Sequence, residues 1–215
     1  TYIVVDDIDH LCPTHFQHFN VNGIIKTYAG IEIEDVSVAM IDPLHKEIIP
    51  TNEYGEYAFK NLKSSISILL NPSCDKNYLS GITTADITKI QQHILGIKTI
   101  TNSYDLIAAD VDQSGKISAR DIIILTNLIV VKINELPENN SYLFIHKAYQ
   151  FTNSLDPFDE YRQHRNIIID QLEADHKIDF VAIKLGDINQ SLTKHNITQS
   201  EQTVNLNYTI ENNHI

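Results

Sequence analysis

An internal repeat of 35 residues limits what this chain can fold into more than any other feature. Asp75 matches Asp110, Ile82 matches Ile117 and Asp86 matches Asp121. Two copies support each other in a way a single motif does not. The second copy reads Asp110-Val-Asp112-Gln-Ser114-Gly115-Lys116-Ile117-Ser118-Ala-Arg-Asp121. It sets oxygen-bearing groups at positions 1, 3, 5, 7, 9 and 12 of a twelve-residue loop, the spacing of a calcium loop. A loop that wraps one ion turns alternate residues inward, which is why the ligands fall mostly at odd positions. Gly115 permits the sharp turn. Lys116 offers its backbone carbonyl and points its ammonium away. Asp121 opens the following helix, where a carboxylate also suits the helix N-terminus. The expected ligands are therefore Asp110, Asp112, Ser114, Lys116, Ser118 and Asp121. Ile117 is expected to pair its backbone with Ile82 of the other loop.

The first copy, Asp75 to Asp86, places Asp75, Asn77, Leu79, Gly81, Thr83 and Asp86 at the same six positions. It departs from the pattern at Leu79, which has no side-chain oxygen. Its glycine also stands one position late. It carries two carboxylates against three, so its attraction for a hard divalent cation is weaker. The expectation is two calcium ions, with the Asp110–Asp121 site the stronger and the first site weaker or completed by water. All-oxygen donor sets exclude the tetrahedral nitrogen and sulfur sites of zinc. Magnesium would demand a more rigid octahedron.

Each loop is followed by helical periodicity. Ile87, Ile90, Ile94 and Leu95 recur at helical spacing, with Gly96 as the stop. Ile122, Leu125 and Ile129 repeat the theme. The second helix is apolar on more than one stripe, so it is expected to be covered by neighbouring β segments rather than left as a docking face. On both sides of the repeat the pattern is strand-like. Ile31–Val38 runs on into Ile41, Asn52–Gly55 is a turn, Tyr57-Ala-Phe59 alternates, and Ser65–Leu70 is a strand stopped by Asn71-Pro72. After Pro137, strands are expected at 142–151, 167–169 and 178–188. The short β run at 1–5 and the alternation at 204–208 look like strands of neighbouring domains. The expected fold class is α+β and multi-module: a small β-sandwich, a two-helix calcium-binding pair, then a β-rich segment. Its expected divisions are 1–19 (end of an upstream domain or linker), 20–72, 73–136, 137–191 packing on the helical pair, and 192–215 (start of a downstream β domain).

Charge narrows the function classes. With 16 basic and 28 acidic residues the net charge is −12, which argues against nucleic acid and anionic lipid as partners and is compatible with binding cations. The longest mostly apolar stretch, 122–131, is about half a membrane span, so no transmembrane segment is expected. Phosphate-loop, nucleophile-elbow and zinc-protease motifs are absent, and the chain reads as a non-enzyme. Cys12, His15 and His18 fit no common zinc spacing and read as a polar linker. Cys12 and Cys74 either pair or remain two free thiols.

Two loop-then-helix motifs with Asp at position 12 resemble a type I dockerin module over residues 75 to about 132. Residues 21–70, with Tyr54-Gly-Glu-Tyr57-Ala-Phe59, resemble a carboxypeptidase regulatory-like β-sandwich. The order of modules looks like that of large secreted surface proteins of Bacteroidetes-type bacteria. The resemblance implies a secreted, cell-surface location. It also implies a cohesin-type partner contacted by loop positions 10 and 11, here Thr84-Ala85 and Ala119-Arg120. Since the two pairs differ, a symmetric dual binding mode is not expected. The leading expectation is a structural or adhesive module in which calcium fixes the geometry between neighbours in the same polypeptide. The alternatives are a dockerin recruiting a cohesin-bearing partner in trans, an accessory module of a carbohydrate-active enzyme, and a self-assembling subunit of an extracellular filament.

Overall fold

Strands from both flanks of the repeat meet in the same two sheets. The computed structural model describes residues 17–138 and 140–193. Before the repeat come β1 (His18–Thr27), β2 (Ser37–Ile41), β3 (Lys46–Pro50), β4 (Glu56–Lys63) and β5 (Ile68–Ser73). The repeat contributes α1 (Thr84–Ile94), α2 (Ser103–Ala109) and α3 (Ala119–Ile129). After it come β6 (Tyr142–His146), α4 (Phe158–His164), β7 (Ile167–Ile169), β8 (His176–Lys177) and β9 (Phe180–Lys184). One sheet runs β4-β1-β9-β6, with β8 also on β1, and the other runs β3-β2-β5-β7.

The joins between the flanks are specific. β9 lies parallel to β1, with Ile25 opposite Phe180 and Thr27 opposite Ala182. β7 pairs antiparallel with β5, Leu69 opposite Ile168. The helical repeat is thus an excursion between β5 and β6. The expected separation of a finished sandwich at 20–72 from a β segment at 137–191 is corrected: the later strands complete the sheets of the earlier ones, and they also pack on the helices.

Burial explains how one segment does both. In β6, Tyr142 and Phe144 enter a core with Val21, Ile25, Phe59 and Leu70, while Leu143 and Ile145 enter a second core with Ile90, Val111, Leu125 and Leu128. In β9, Phe180 and Ala182 face the first core, and Val181 and Ile183 the second. Successive side chains of a strand point to opposite faces. A strand covered on both faces therefore loses its apolar–polar alternation and reads as a continuous apolar run. The result is three layers: a sheet, a second sheet buried on both faces along β6 and β9, and helices.

Several expected elements differ in extent or kind. Residues 31–36, expected as part of a strand running into β2, form none beyond the bridge of Glu32 to Lys26. Asn71 and Pro72 lie inside β5 rather than ending it, opposite Ala39 and Val38 of β2. β6 ends at His146, and β9 spans only the middle of the 178–188 stretch. The repeat holds three helices rather than two. α2 was hidden by its seven-residue length; Asn102 starts it by accepting the Tyr104 N–H at 2.8 Å. Cys74 is buried and unpaired among the described residues, whereas Cys12 lies outside them. The β runs expected at 1–5 and 204–208 also lie outside.

Candidate metal centre

Helix termini hold the second loop at both ends. Asp110 is the C-terminal cap of α2, its N–H bonded to the Leu106 carbonyl. Ser118 caps α3, its hydroxyl accepting the Arg120 N–H at 3.2 Å. Asp121 returns the bond, accepting the Ser118 N–H at 2.8 Å. This is a capping box with Asp in the third position. Local sequence therefore fixes position 12 of the loop before any ion is considered.

Between the caps, carboxylate oxygens of Asp110, Asp112 and Asp121 lie within 4.8 Å of one another. Asp110 and Asp121 are buried and Asp112 is half-buried. Backbone amides aim the oxygens: Asp110 accepts Ser114 N–H at 2.9 Å on Oδ1 and Gly115 N–H at 2.7 Å on Oδ2. Asp112 Oδ1 accepts the same Ser114 N–H at 3.1 Å. The Lys116 carbonyl lies 3.2 Å from Ser114 Oγ, facing into the loop as position 7 requires. Burial, with neighbouring carboxylates adding to it, lifts the Asp110 carboxyl to about 6, and burial also raises that of Asp121. Three carboxylates forced together out of water repel until a cation neutralises them. The donors are oxygens throughout, so the set fits a hard divalent ion such as calcium.

Two arginines bear on this loop: Arg120 belongs to it, at position 11, whereas Arg162 was not singled out from the sequence as its neighbour. Arg120 Nε pairs with Asp112 Oδ2 at 2.9 Å. Arg162, from α4, donates to the Gln113 carbonyl at 3.0 Å. Its guanidinium lies over Gly115, where an added Cβ would come within 2.8 Å of Nη2. A link from α4 to the loop spans 49 residues of sequence, which local motifs do not encode.

The first loop starts from the same capping box, with Thr83 and Asp86 in place of Ser118 and Asp121. Its carboxylate is used differently. Asp86 Oδ1 accepts the N–H groups of Ile188 and Asn189, both at 2.9 Å. Asp86 Oδ2 accepts the Thr83 N–H and hydroxyl, also at 2.9 Å. The Gly81 carbonyl accepts the Ser191 hydroxyl at 2.8 Å. Asp187 is buried against Gly81 and accepts the N–H groups of Ser191 and Leu192. Asp75 is exposed, Leu79 is 43% exposed, and Asn77 stands at φ +55°. Residues 186–192 therefore close over the first loop and engage the oxygens of Gly81 and Asp86. Asp187, Asn189 and Ser191 carried no loop-like spacing and were missed. The expected pairing of Ile82 with Ile117 is corrected as well: the Ile82 N–H turns back to the Leu79 carbonyl at 3.1 Å.

Gly186 shows how tightly the strand layer meets both repeats. Its N–H bonds the Ala108 carbonyl at 2.8 Å. At φ +85°, an added Cβ would lie 2.7 Å from both Ile82 Cδ1 and Leu125 Cδ2. α3 is covered there through Ile124, Leu125 and Leu128, as expected, but Ile123, Val130 and Val131 remain exposed. Thr84, Ala85, Ala119 and Arg120 are exposed too. Among the described residues no helix is long and apolar enough to cross a membrane.

No curated protein matches the chain. Residues 76–130, which span the two loops from Lys76 onward and helices α1, α2 and α3, match the family model of the dockerin type I domain, and so support a type I dockerin module set between strands β5 and β6.

Proposed function

We propose that this chain is a non-enzymatic, calcium-binding structural module of a secreted cell-surface protein. Calcium in the Asp110–Asp121 loop fixes how the helices sit on the sheets. The observation that carries this reading is the convergence of Asp110, Asp112 and Asp121 in a loop held by two helix caps. Arg162 and the shared core through β6 and β9 would transmit that rigidity to the strand layers. The first loop, already engaged by residues 186–192, is the weaker of the two candidate sites.

The experiment is a thermal melt of the chain in calcium and in chelator. A midpoint that falls on chelation, in the parent chain but not in Asp110→Ala, supports the reading. An unchanged midpoint in the parent sinks it.

A second reading rests on the dockerin match and on exposure of loop positions 10 and 11. In it, a cohesin-type partner docks on α3 across Ala119, Arg120 and Ile123. Calcium-dependent capture by a cohesin domain, lost in Ile123→Asp, would favour it.

A further inference from the structure

A cleft of about 530 Å³ opens on the side of the molecule where the β1 turn meets α2. None of its lining residues belongs to either acidic loop. Lys26, Tyr28, Tyr104, Lys147, Lys177 and Asp179 supply its rings and charges. We propose that this cleft binds an acidic saccharide, a uronate-bearing sugar chain, with Tyr28 as the stacking platform and Lys147 and Lys177 as partners of the sugar carboxylate.

The platform is held in place without a ligand. Tyr28 is 55% exposed, so one aromatic surface is open to solvent. Its turn is fixed by the Gly30 N–H on the Thr27 carbonyl at 2.9 Å and the Ile31 N–H on Thr27 Oγ1 at 3.1 Å. Its ring stacks on Tyr104 at 4.8 Å. Tyr104 is backed edge-on by Phe151 at 5.8 Å, and Phe151 by Tyr149 at 5.4 Å. A ring already immobilised loses little freedom when a sugar settles on it. The C–H face of a pyranose is apolar and matches an aromatic face, while its hydroxyls stay in water.

The charges favour an anion. Lys147 and Lys177 both place Nζ 3.9 Å from the same Asp179 Oδ2, too far for a hydrogen bond. The other Asp179 oxygen accepts the Ile24 N–H at 3.0 Å, which fixes the carboxylate. Lys26 is paired separately with Glu32 at 3.0 Å. Two ammonium groups thus share one carboxylate, and a ligand carboxylate between them would complete the second pair. In a chain of net charge −12, this local excess of positive charge selects for anionic ligands against the background field.

Backbone pairing disfavours an acidic peptide as the occupant. β1 is bonded to β9 on one side. On the other, Ile25 and Thr27 donate to the Gly55 and Ile31 carbonyls. Neither β1 nor β9 offers a free edge there to extend a sheet onto a peptide, and β8 is only two residues long, whereas a sugar needs only a ring face and ammonium donors.

The test is calorimetric titration of the whole chain, in constant excess calcium, with a glucuronate-containing tetrasaccharide, its glucose counterpart and an oligoglutamate peptide. The acidic sugar is expected to bind about tenfold tighter than the neutral one, and more weakly as salt rises. Tyr28→Ala should weaken it about tenfold with an unchanged melting midpoint. If that variant melts early, Lys147→Glu with Lys177→Glu, both at exposed side chains, should abolish the acid preference. No binding at millimolar sugar, equal binding of the acidic and neutral sugars, tighter binding of the peptide, or indifference to both variants would each overturn the proposal.

Discussion

The Asp86 carboxylate accepts the backbone N–H of Ile188 at 2.9 Å, across 102 residues of sequence. With the Asn189 and Thr83 bonds it turns position 12 of the first loop into an anchor for the chain that follows β9. Asp121, at the matching place in the second loop, instead faces Asp110 and Asp112. Two copies of one motif have thus been put to different uses, one held by protein donors and the other arranged for a cation.

Asp86→Ala should therefore destabilise the chain whether or not calcium is present. It leaves three backbone donors without their acceptor, the buried Ile188 N–H and the part-buried N–H groups of Asn189 and Thr83, a loss on the order of 3 kcal/mol. Asp121→Ala should cost more in calcium than in chelator, where chiefly its capping-box bonds from Ser118 are lost. Denaturant unfolding of both variants in both conditions checks the contrast. A calcium-dependent loss in Asp86→Ala would mean that its oxygens serve an ion after all.

Calcium titration by calorimetry should show one strong site per chain. Asp110→Ala should remove it, and Asp75→Ala, at an exposed position, should leave it intact. Two sites of equal strength would show that residues 186–192 yield their bonds when the ion arrives.

The second loop was legible in the sequence because its ligands are local. Twelve consecutive residues carry the spacing, the turn glycine and the capping box together. The helices after both loops were legible for the same reason. The later strands were not read as partners of β1 and β5, because nothing local says that Ile25 lies opposite Phe180. The run Phe180–Lys184 did carry a signal: five residues without alternation mark a strand covered on both faces. Asp187 and Ser191 gave none, since their role depends on a loop about a hundred residues earlier meeting them in space.

Lys184 provides a pH test. It is buried, and donates to the Tyr78 carbonyl at 2.8 Å and to Ser141 Oγ at 3.0 Å. Burial pushes its ammonium down to about 7 from 10.5. Between those values the unfolded chain binds the proton and the folded chain does not. This lysine's contribution to stability therefore rises with pH from about 7 toward 10.5, and is lost as pH falls through 7. At saturating calcium, the gain in denaturant midpoint between pH 7 and pH 9 should shrink in Lys184→Met. An equal gain in both chains would place the titration elsewhere.

Adjacent residues of β6 give the sharpest test of a shared strand layer. Phe144 points into the core between the sheets and Ile145 into the core beneath the helices. Truncation to Ala should cost about 3–5 kcal/mol at Phe144 and about 2–5 kcal/mol at Ile145, from lost burial and the cavity left behind. If β6 and β9 belong to both cores, neither core can open while the other stays closed. Each variant should then lower one common transition, seen alike by far-UV circular dichroism, which is dominated by the helices, and by tyrosine fluorescence, which samples both cores. Separate transitions, with Ile145→Ala moving only the helical signal, would show instead that the helices melt off an intact pair of sheets.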